Sequence, residues 1–329
     1  MKIETIGVIG GGAWGTALAQ VAAAKGHPTW LWAREPEVVE AINGAHENPM
    51  FLPGRRLSDA IRATGALADL RECDAWLVVT PAQHMRRVLE SAAGCDKPLI
   101  LCSKGIEDGS GALLHQVARE TCPDADVMVL SGPTFADEVA AGLPTALTLA
   151  APDLDRAEAV RERLALPQFR LYLSDDVAGA EVGGAVKNVL AIACGVVEGR
   201  GLGQNARSAL IARGFAEMSR FGLAAGARRE TLAGLCGLGD LVLTCSSTSS
   251  RNFSLGLGIG QGKRAAELMA DRRTVAEGAY TAPVLDRLAR ERGIDMPIVA
   301  AVNALLSGSI EVDAVLEGLL SRPPRVESL

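Results

Sequence analysis

The sequence has no Lys/Arg block, and its 39 acidic residues outnumber the 33 basic ones to leave a net charge of −6. That balance gives no footprint for nucleic acid. The seven cysteines, Cys73, Cys95, Cys102, Cys122, Cys194, Cys236 and Cys245, form no CxxC pair and no His/Cys ligand spacing. A disulfide framework and a zinc site are therefore not expected, and free Cys in apolar runs behaves as a small hydrophobe. A reduced, cytoplasmic protein without metal is the default. No apolar run reaches the 18 or more residues of a membrane span. The opening MKIETIGVIGGGAWG has too little apolar length before its glycines for a signal peptide, and no repeat or long linker is visible. What remains is 329 residues, 48% hydrophobic and 22% charged, an ordinary globular composition long enough for two domains with separate cores.

The most informative stretch is 178–198, AGAEVGGAVKNVLAIACGVVE. Between 182 and 197 only Lys187 and Asn188 are polar, so the spacing predicts a helix apolar on every side and buried on every side. Gly183, Gly184 and Ala191 lie one turn from Lys187 on the same face, which lets another group approach the amine closely. A lysine in such a helix can snorkel along its own stem to water. The chain, however, uses 27 Arg and only six Lys (Lys2, Lys25, Lys97, Lys104, Lys187 and Lys263). A buried Lys in this background suggests that an ammonium is wanted, because desolvation brings a lysine pKa into the working range and leaves arginine protonated.

The first half alternates short apolar runs with helical patterns. Residues 6–9 read as a buried strand running into Gly10-Gly11-Gly12-Ala13-Trp14-Gly15, with an Ala-rich helix over 16–25 stopped by Gly26. Strand, Gly10-x-Gly12-x-x-Gly15, then helix is the dinucleotide fingerprint in its required setting. Its first two glycines permit a tight turn and close approach to a pyrophosphate, and the third lets helix and strand pack. The next run, 29–32, ends in Ala33-Arg34-Glu35. Arg34 stands where NAD-specific sites usually place an acid for the ribose hydroxyl, and it can pair with a 2′-phosphate instead. Glu35 keeps NADH open, and NADPH is favoured. Further strands are expected at 74–80, 98–102, 127–130, 145–150 and 169–173, with helices at 83–93, 111–121 and 153–164. The reading is an α/β fold, a Rossmann-type doubly wound, mostly parallel sheet. Ligands then bind beyond the strand ends, so Lys104 and the Gly132/Thr134 turn are expected to line one crevice with the glycine loop.

After Glu198 only helices are expected, at 206–221, 228–235, 281–292, 298–306 and 312–320. The domains are therefore 1–178, binding dinucleotide, and 179–329, a helical substrate domain that the Lys187 helix begins. Between its helices lie Gly237-Leu238-Gly239-Asp240 and a hydroxyl-rich tract, Thr244-Cys245-Ser246-Ser247-Thr248-Ser249-Ser250-Arg251-Asn252. Taken alone the tract reads as a linker. Hydroxyls beside an Arg and an Asn are equally what a phosphate oxyanion needs.

These segments together resemble the bacterial-type NAD(P)-dependent glycerol-3-phosphate dehydrogenase family over nearly the whole chain. The resemblance rests on 10–19, on Ser103-Lys104-Gly105-Ile106-Glu107, and on Ser131-Gly132-Pro133-Thr134-Phe135-Ala136. It rests equally on Gly183-Gly184-Ala185-Val186-Lys187-Asn188, on 237–245, on Ser250-Arg251-Asn252 and on Glu277-Gly278. It implies interconversion of dihydroxyacetone phosphate and sn-glycerol 3-phosphate, the phospholipid backbone, with NADPH or NADH. It implies Lys187 as the proton donor and acceptor. Lys104, Gly132, Thr134, Lys187, Asn188, Asp240, Ser250, Arg251 and Asn252 are the implied substrate contacts. Gly10, Gly12, Ala13, Trp14, Gly15, Arg34, Lys104, Ala136, Arg251, Val275 and Glu277 match the cofactor positions. The implied partner is a phosphorylated small molecule, with no nucleic acid and no membrane span, and a homodimer is allowed.

Ala13 stands where the family often has Ser, and Phe253-Ser254 where many members carry further basic residues. The chemistry suits the residues: hydride arriving at a ketone carbon leaves charge on its oxygen, which Lys187 can meet with a proton. Asp240 could orient that amine, and Lys104 could lend a second positive charge. His27, His46, His84 and His115 lie outside the matched motifs. A ketopantoate-type or β-hydroxyacid reductase would share the Rossmann half and a helical Lys but would need no phosphate site, so Ser250-Arg251-Asn252 discriminates. A non-catalytic dinucleotide sensor would need neither the buried amine nor an anion pocket.

Overall fold

The structure is a computed structural model that describes residues 2–92, 95–270 and 276–321. Strands are β1 (Ile6–Ile9), β2 (Thr29–Trp32), β3 (Glu47–Asn48), β4 (Leu52–Arg56), β5 (Ile61–Thr64), β6 (Ala75–Val78), β7 (Leu99–Leu101), β8 (Val127–Ser131), β9 (Thr145–Ala150) and β10 (Phe169–Ser174). Helices α1 (Ala13–Ala22), α2 (Pro36–Ala45), α3 (Met85–Ser91), α4 (Leu114–Thr121), α5 (Ala136–Ala140) and α6 (Leu154–Leu164) alternate with them. Then come α7 (Val177–Gly199), α8 (Gly203–Ala224), α9 (Arg229–Leu232), α10 (Asp240–Cys245), α11 (Arg251–Gly260), α12 (Ala265–Leu268), α13 (Glu277–Glu291), α14 (Pro297–Ser307) and α15 (Val312–Leu320).

The chain divides into two compact units, Met1–Ser103 with Leu114–Val177, and Lys104–Leu113 with Ala178–Leu329. A single boundary near 178, as expected from the change of pattern, leaves Lys104–Leu113 in the first unit. Their contacts put them in the second, where Ile106 and Leu113 form a bridge inside the helical core.

In the first unit eight strands order as β10-β9-β8-β7-β6-β1-β2-β5, all neighbours parallel except β8 and β9. All four residues of β1 are buried, as a central parallel strand with both faces covered requires. The sheet is the Rossmann-type arrangement expected, with additions that the sequence pattern did not signal. Strand β5 extends the sheet beyond β2, β3 and β4 form a separate antiparallel pair, and α2 and α5 occupy segments to which the sequence pattern assigned no element. At the sheet edge Asn43 brackets Ala63: its Nδ2 donates to the Ala63 carbonyl at 2.9 Å and its Oδ1 accepts the Ala63 N–H at 2.9 Å. That closes two polar groups an edge strand would otherwise leave open.

In the second unit α7 is long and apolar enough to cross a membrane by length and composition, yet its apolar window is wholly buried inside the protein. Its packing with α11 depends on two pairs of glycines four residues apart. A Cβ at Gly195 or Gly199 would run into the carbonyls of Phe253 or Leu257, and one at Gly256 or Gly260 into those of Ile192 or Val196. Hydrogen in place of four side chains lets the two backbones touch. This contact carries Arg251 and Asn252 at the start of α11 to the middle of α7. All seven cysteines are free and buried.

Candidate active site

In the first unit the turn after β1 is built of backbone. Gly10 has φ +129, and a Cβ there would meet the Val79 carbonyl oxygen at 2.9 Å. A Cβ on Gly15 would strike the carbonyl of Gly10 itself, so the helix and the turn can close only on hydrogen. At Gly12 the opposite holds: a Cβ would meet nothing within 4 Å. Gly12 is also the N-cap of α1, and no side chain caps that helix end. An open cradle over an uncapped helix N-terminus fits the pyrophosphate of a dinucleotide, since the unpaired N–H groups and the helix dipole favour an anion. Ala13 and Trp14 form the first turn of α1, and the Trp14 indole Nε1 is buried with no hydrogen-bond partner.

Arg34 follows β2 and is largely exposed. Its Nε and Nη2 donate to one oxygen of Glu35 at 3.1 and 2.7 Å. The two residues that point to opposite cofactor preferences are thus paired with each other. At the end of β8, Gly132 leaves no room for a side chain, because a Cβ would meet Leu147 Cα at 2.9 Å. The Thr134 hydroxyl donates to the Gly132 carbonyl at 3.4 Å, and Ala136 opens α5.

The second unit supplies a cluster of charged side chains. Asp240 is fully buried and begins α10, directly after a π-helical turn at Leu235–Gly239. Gly183, one turn before Lys187, packs on the Cys236 carbonyl and the Gly237 Cα of that turn, which draws α10 against α7. The result is a carboxylate held between two amines. Lys187 Nζ donates to Asp240 Oδ1 at 2.5 Å, and Lys104 Nζ donates to Asp240 Oδ2 at 2.6 Å. Lys187 also donates to the Thr244 hydroxyl at 2.9 Å. Lys187 is 5% exposed, so it does not snorkel to water. Burial pushes its pKa below the ordinary amine value to about 7; Lys104 adds to the fall, while Asp240 opposes it. Losing Asp240 would strand buried positive charge, which is costly.

Thr244 was not among the residues singled out from the sequence as contacts, although it lies within the matched motif. The signal was available: it stands four residues after Asp240, hence on the same helix face.

A second network joins three helices. Asn252 Nδ2 donates to Asn188 Oδ1 at 3.0 Å, and the Gly278 N–H donates to Asn252 Oδ1 at 2.9 Å. Gly278 sits so close to the Asn188 carbonyl that a Cβ would collide with it. Ser250 caps α11, its hydroxyl accepting the Phe253 N–H at 3.2 Å. The Ser/Thr tract therefore ends in a helix start, and it is not simply a linker. Arg251, the next residue, is exposed, and the charge of Glu277 acts on it. Val275, expected at the cofactor, lies outside the described residues.

Comparison with known proteins agrees with both halves. Residues 5–157 match the family model of the NAD-dependent glycerol-3-phosphate dehydrogenase N-terminus, and 176–317 that of the C-terminus. The chain is 63% identical to the glycerol-3-phosphate dehydrogenase [NAD(P)+] of Erythrobacter litoralis, over 98% of this chain and 97% of that protein. It is 56% identical to the protein of the same name from Caulobacter vibrioides, over the full length of both. Among solved structures, glycerol-3-phosphate dehydrogenase from Coxiella burnetii superposes with a TM-score of 0.92 at 37% identity, covering 98% of this chain and 99% of that one. Two family models that together span most of the chain, and relatives matched end to end, place it plainly: the chain belongs to the NAD-dependent glycerol-3-phosphate dehydrogenase family.

Proposed function

We propose that the protein is a glycerol-3-phosphate dehydrogenase that interconverts dihydroxyacetone phosphate and sn-glycerol 3-phosphate with NADPH or NADH, and so supplies the glycerol phosphate backbone of phospholipids. Family membership supports the reaction. The buried Lys187–Asp240–Lys104 cluster is the single observation that carries its mechanism. The seven free thiols suit a reducing, cytoplasmic setting.

NAD(P)H, when bound, supplies the hydride. Gly10, Gly12 and Gly15 would hold its pyrophosphate, with Ala13 and Trp14 beside them, and Ala136 and Glu277 are further contacts in this reading. Arg34 would meet a 2′-phosphate on giving up Glu35, which is why NADPH is favoured. The chain's own residues manage the proton. As the ketone carbon becomes tetrahedral, negative charge grows on its oxygen, and the Lys187 ammonium stabilises that charge and then gives up a proton to it. In the reverse direction the neutral amine takes the proton from the hydroxyl. Asp240 fixes Lys187 through a short hydrogen bond, and Thr244 holds it from a second side. Lys104 contributes positive charge, which both lowers the Lys187 pKa and favours an anionic substrate. Arg251 would take the phosphate through paired hydrogen bonds, with Ser250 and Asn252 shaping the turn that presents it. Gly132 and Thr134 complete the implied substrate contacts.

An NADPH-oxidation assay tests this reading. Rapid turnover is expected with dihydroxyacetone phosphate and very little with dihydroxyacetone. Equal turnover of the two ketones, or a preference for an unphosphorylated keto acid, would overturn it.

A further inference from the structure

We infer that Asn48 is a positioning residue for the dinucleotide: it sets the direction of the backbone N–H groups in the glycine turn from underneath. The inference rests on the cofactor reading of that turn and adds to it a residue outside the fingerprint.

The observation is a fully buried amide whose partners belong to the turn. Asn48 Nδ2 donates to the Gly11 carbonyl at 2.9 Å and lies 2.8 Å from the Thr16 hydroxyl. The Thr16 hydroxyl itself donates to the same Gly11 carbonyl at 3.3 Å. Asn48 Oδ1 accepts the Phe51 N–H at 3.2 Å, which leaves only one orientation of the amide that satisfies every partner. The Gly11 carbonyl and the Gly12 N–H belong to one peptide unit. No cis peptide occurs among the described residues, and in a planar trans peptide those two groups point in opposite directions. Holding the carbonyl down onto Asn48 therefore aims the Gly12 N–H the other way, out of the turn. A Gly has no side chain to fix its own orientation, so the constraint has to come from outside the turn.

The chain around Asn48 is arranged to deliver it. His46 takes the left-handed conformation, φ 53, at the end of α2 and starts the β3–β4 hairpin. The pairing of that hairpin slips between Glu47 and Asn48, the kind of bulge that re-aims a side chain. The β4 side of the hairpin is tied to two flanking helices. Arg55 pairs bidentately with Asp137 of α5 at 2.8 and 2.9 Å, and the Ser58 N–H donates to Gln20 of α1 at 2.8 Å. A hairpin so held is a rigid support for one buried amide.

The test compares Asn48→Asp and Asn48→Ala with wild type by direct titration of NADPH and of NADH, well below each protein's unfolding temperature, alongside steady-state kinetics and Tm. Asn48→Asp puts a carboxylate oxygen against the Gly11 carbonyl and a charge beneath the anion site. Its Kd for both cofactors should rise by about 10–100-fold, on the scale of a lost hydrogen bond with an added repulsion. Asn48→Ala should show a smaller rise, again equal for the two cofactors, since the 2′-phosphate is not involved. With cofactor saturating, kcat and the KM for dihydroxyacetone phosphate should stay near wild type. Should Asn48→Asp fail to fold, Asn48→Ala and Thr16→Ala carry the same test. A fall in Tm with unchanged cofactor Kd in every folded variant would reduce Asn48 to a structural role and overturn the inference. Wild-type protein that binds neither cofactor would instead overturn the cofactor reading beneath it.

Discussion

The glycine turn and the lysine cluster do their chemistry with opposite materials. The first, the proposed pyrophosphate cradle, is made of absent side chains: Gly10 and Gly15 leave no room for a Cβ, and Gly12 leaves open space. The second is made of side chains from distant parts of the chain, Lys104, Lys187, Asp240 and Thr244, gathered round one buried carboxylate. A backbone site depends on spacing along a short segment and on the few groups that hold its peptides in place, such as Asn48. A charge cluster depends on desolvation and on every member, so single substitutions there should cost far more.

The largest effect is expected at the cluster. Lys187→Met fills a similar volume and should fold, yet turnover should fall by about 10²–10⁴-fold, as for loss of a general acid. Near wild-type kcat at saturating substrate would remove the amine from the chemistry and erase the contrast drawn above.

Next comes the proposed phosphate contact. Arg251→Ala should lower kcat/KM for dihydroxyacetone phosphate by roughly 30–1000-fold, the strength of a charged hydrogen-bonded pair. Activity on dihydroxyacetone should barely change, because the deleted contact is never made there. An equal loss on both ketones would move Arg251 from substrate to cofactor or fold.

A smaller and selective effect is expected at the backbone-built half. Arg34→Ala should weaken NADPH by about 10–150-fold and NADH hardly at all, as for a lost charge-assisted contact. Because Glu35 holds Arg34 in this structure, Glu35→Gln should shift preference the other way, toward NADPH. Equal shifts for both cofactors would show that the pair does not read the 2′-phosphate.

How much of this was legible in the sequence follows the same division. The turn at 10–15 was readable because its determinants are contiguous; β1 and β2 fall where the apolar runs place them, and α1 begins and ends three residues before the expected 16–25. The buried helix around Lys187 was readable from its lack of polar residues, and the structure gives it as Val177–Gly199. Strand β5 escaped notice because IRAT is four residues with a charge in the middle, and its edge is closed by Asn43 from twenty positions earlier. Helix α11 escaped for another reason. Its sequence RNFSLGLGIG holds three glycines, poor helix formers, and only the close packing of Gly256 and Gly260 on α7 overrides that local preference. The pairing of Lys104 with Asp240 spans 136 positions, and no local pattern announces it.

The smallest effect concerns that packing. Gly195→Ala puts a methyl against the Phe253 carbonyl and should cost about 1–3 kcal/mol of stability, typical of overpacking, read as a lower midpoint in urea unfolding. Cofactor affinity in the folded fraction should be unchanged. An unaltered midpoint would mean that the two helices have room to separate.

The central claim is that Lys187 is poised near neutrality by burial and by Lys104, and that it moves the proton. The direct measurement is the pH dependence of kcat/KM in both directions, for wild type and for Lys104→Met. Reduction needs the ammonium, so its rate should fall as pH rises through about 7; oxidation needs the free amine and should rise through the same point. Removing the Lys104 charge should move the shared midpoint to higher pH, because that charge lowers the Lys187 pKa. Profiles that change in the same direction for both reactions, or a midpoint that Lys104→Met leaves in place or moves down, would contradict the account.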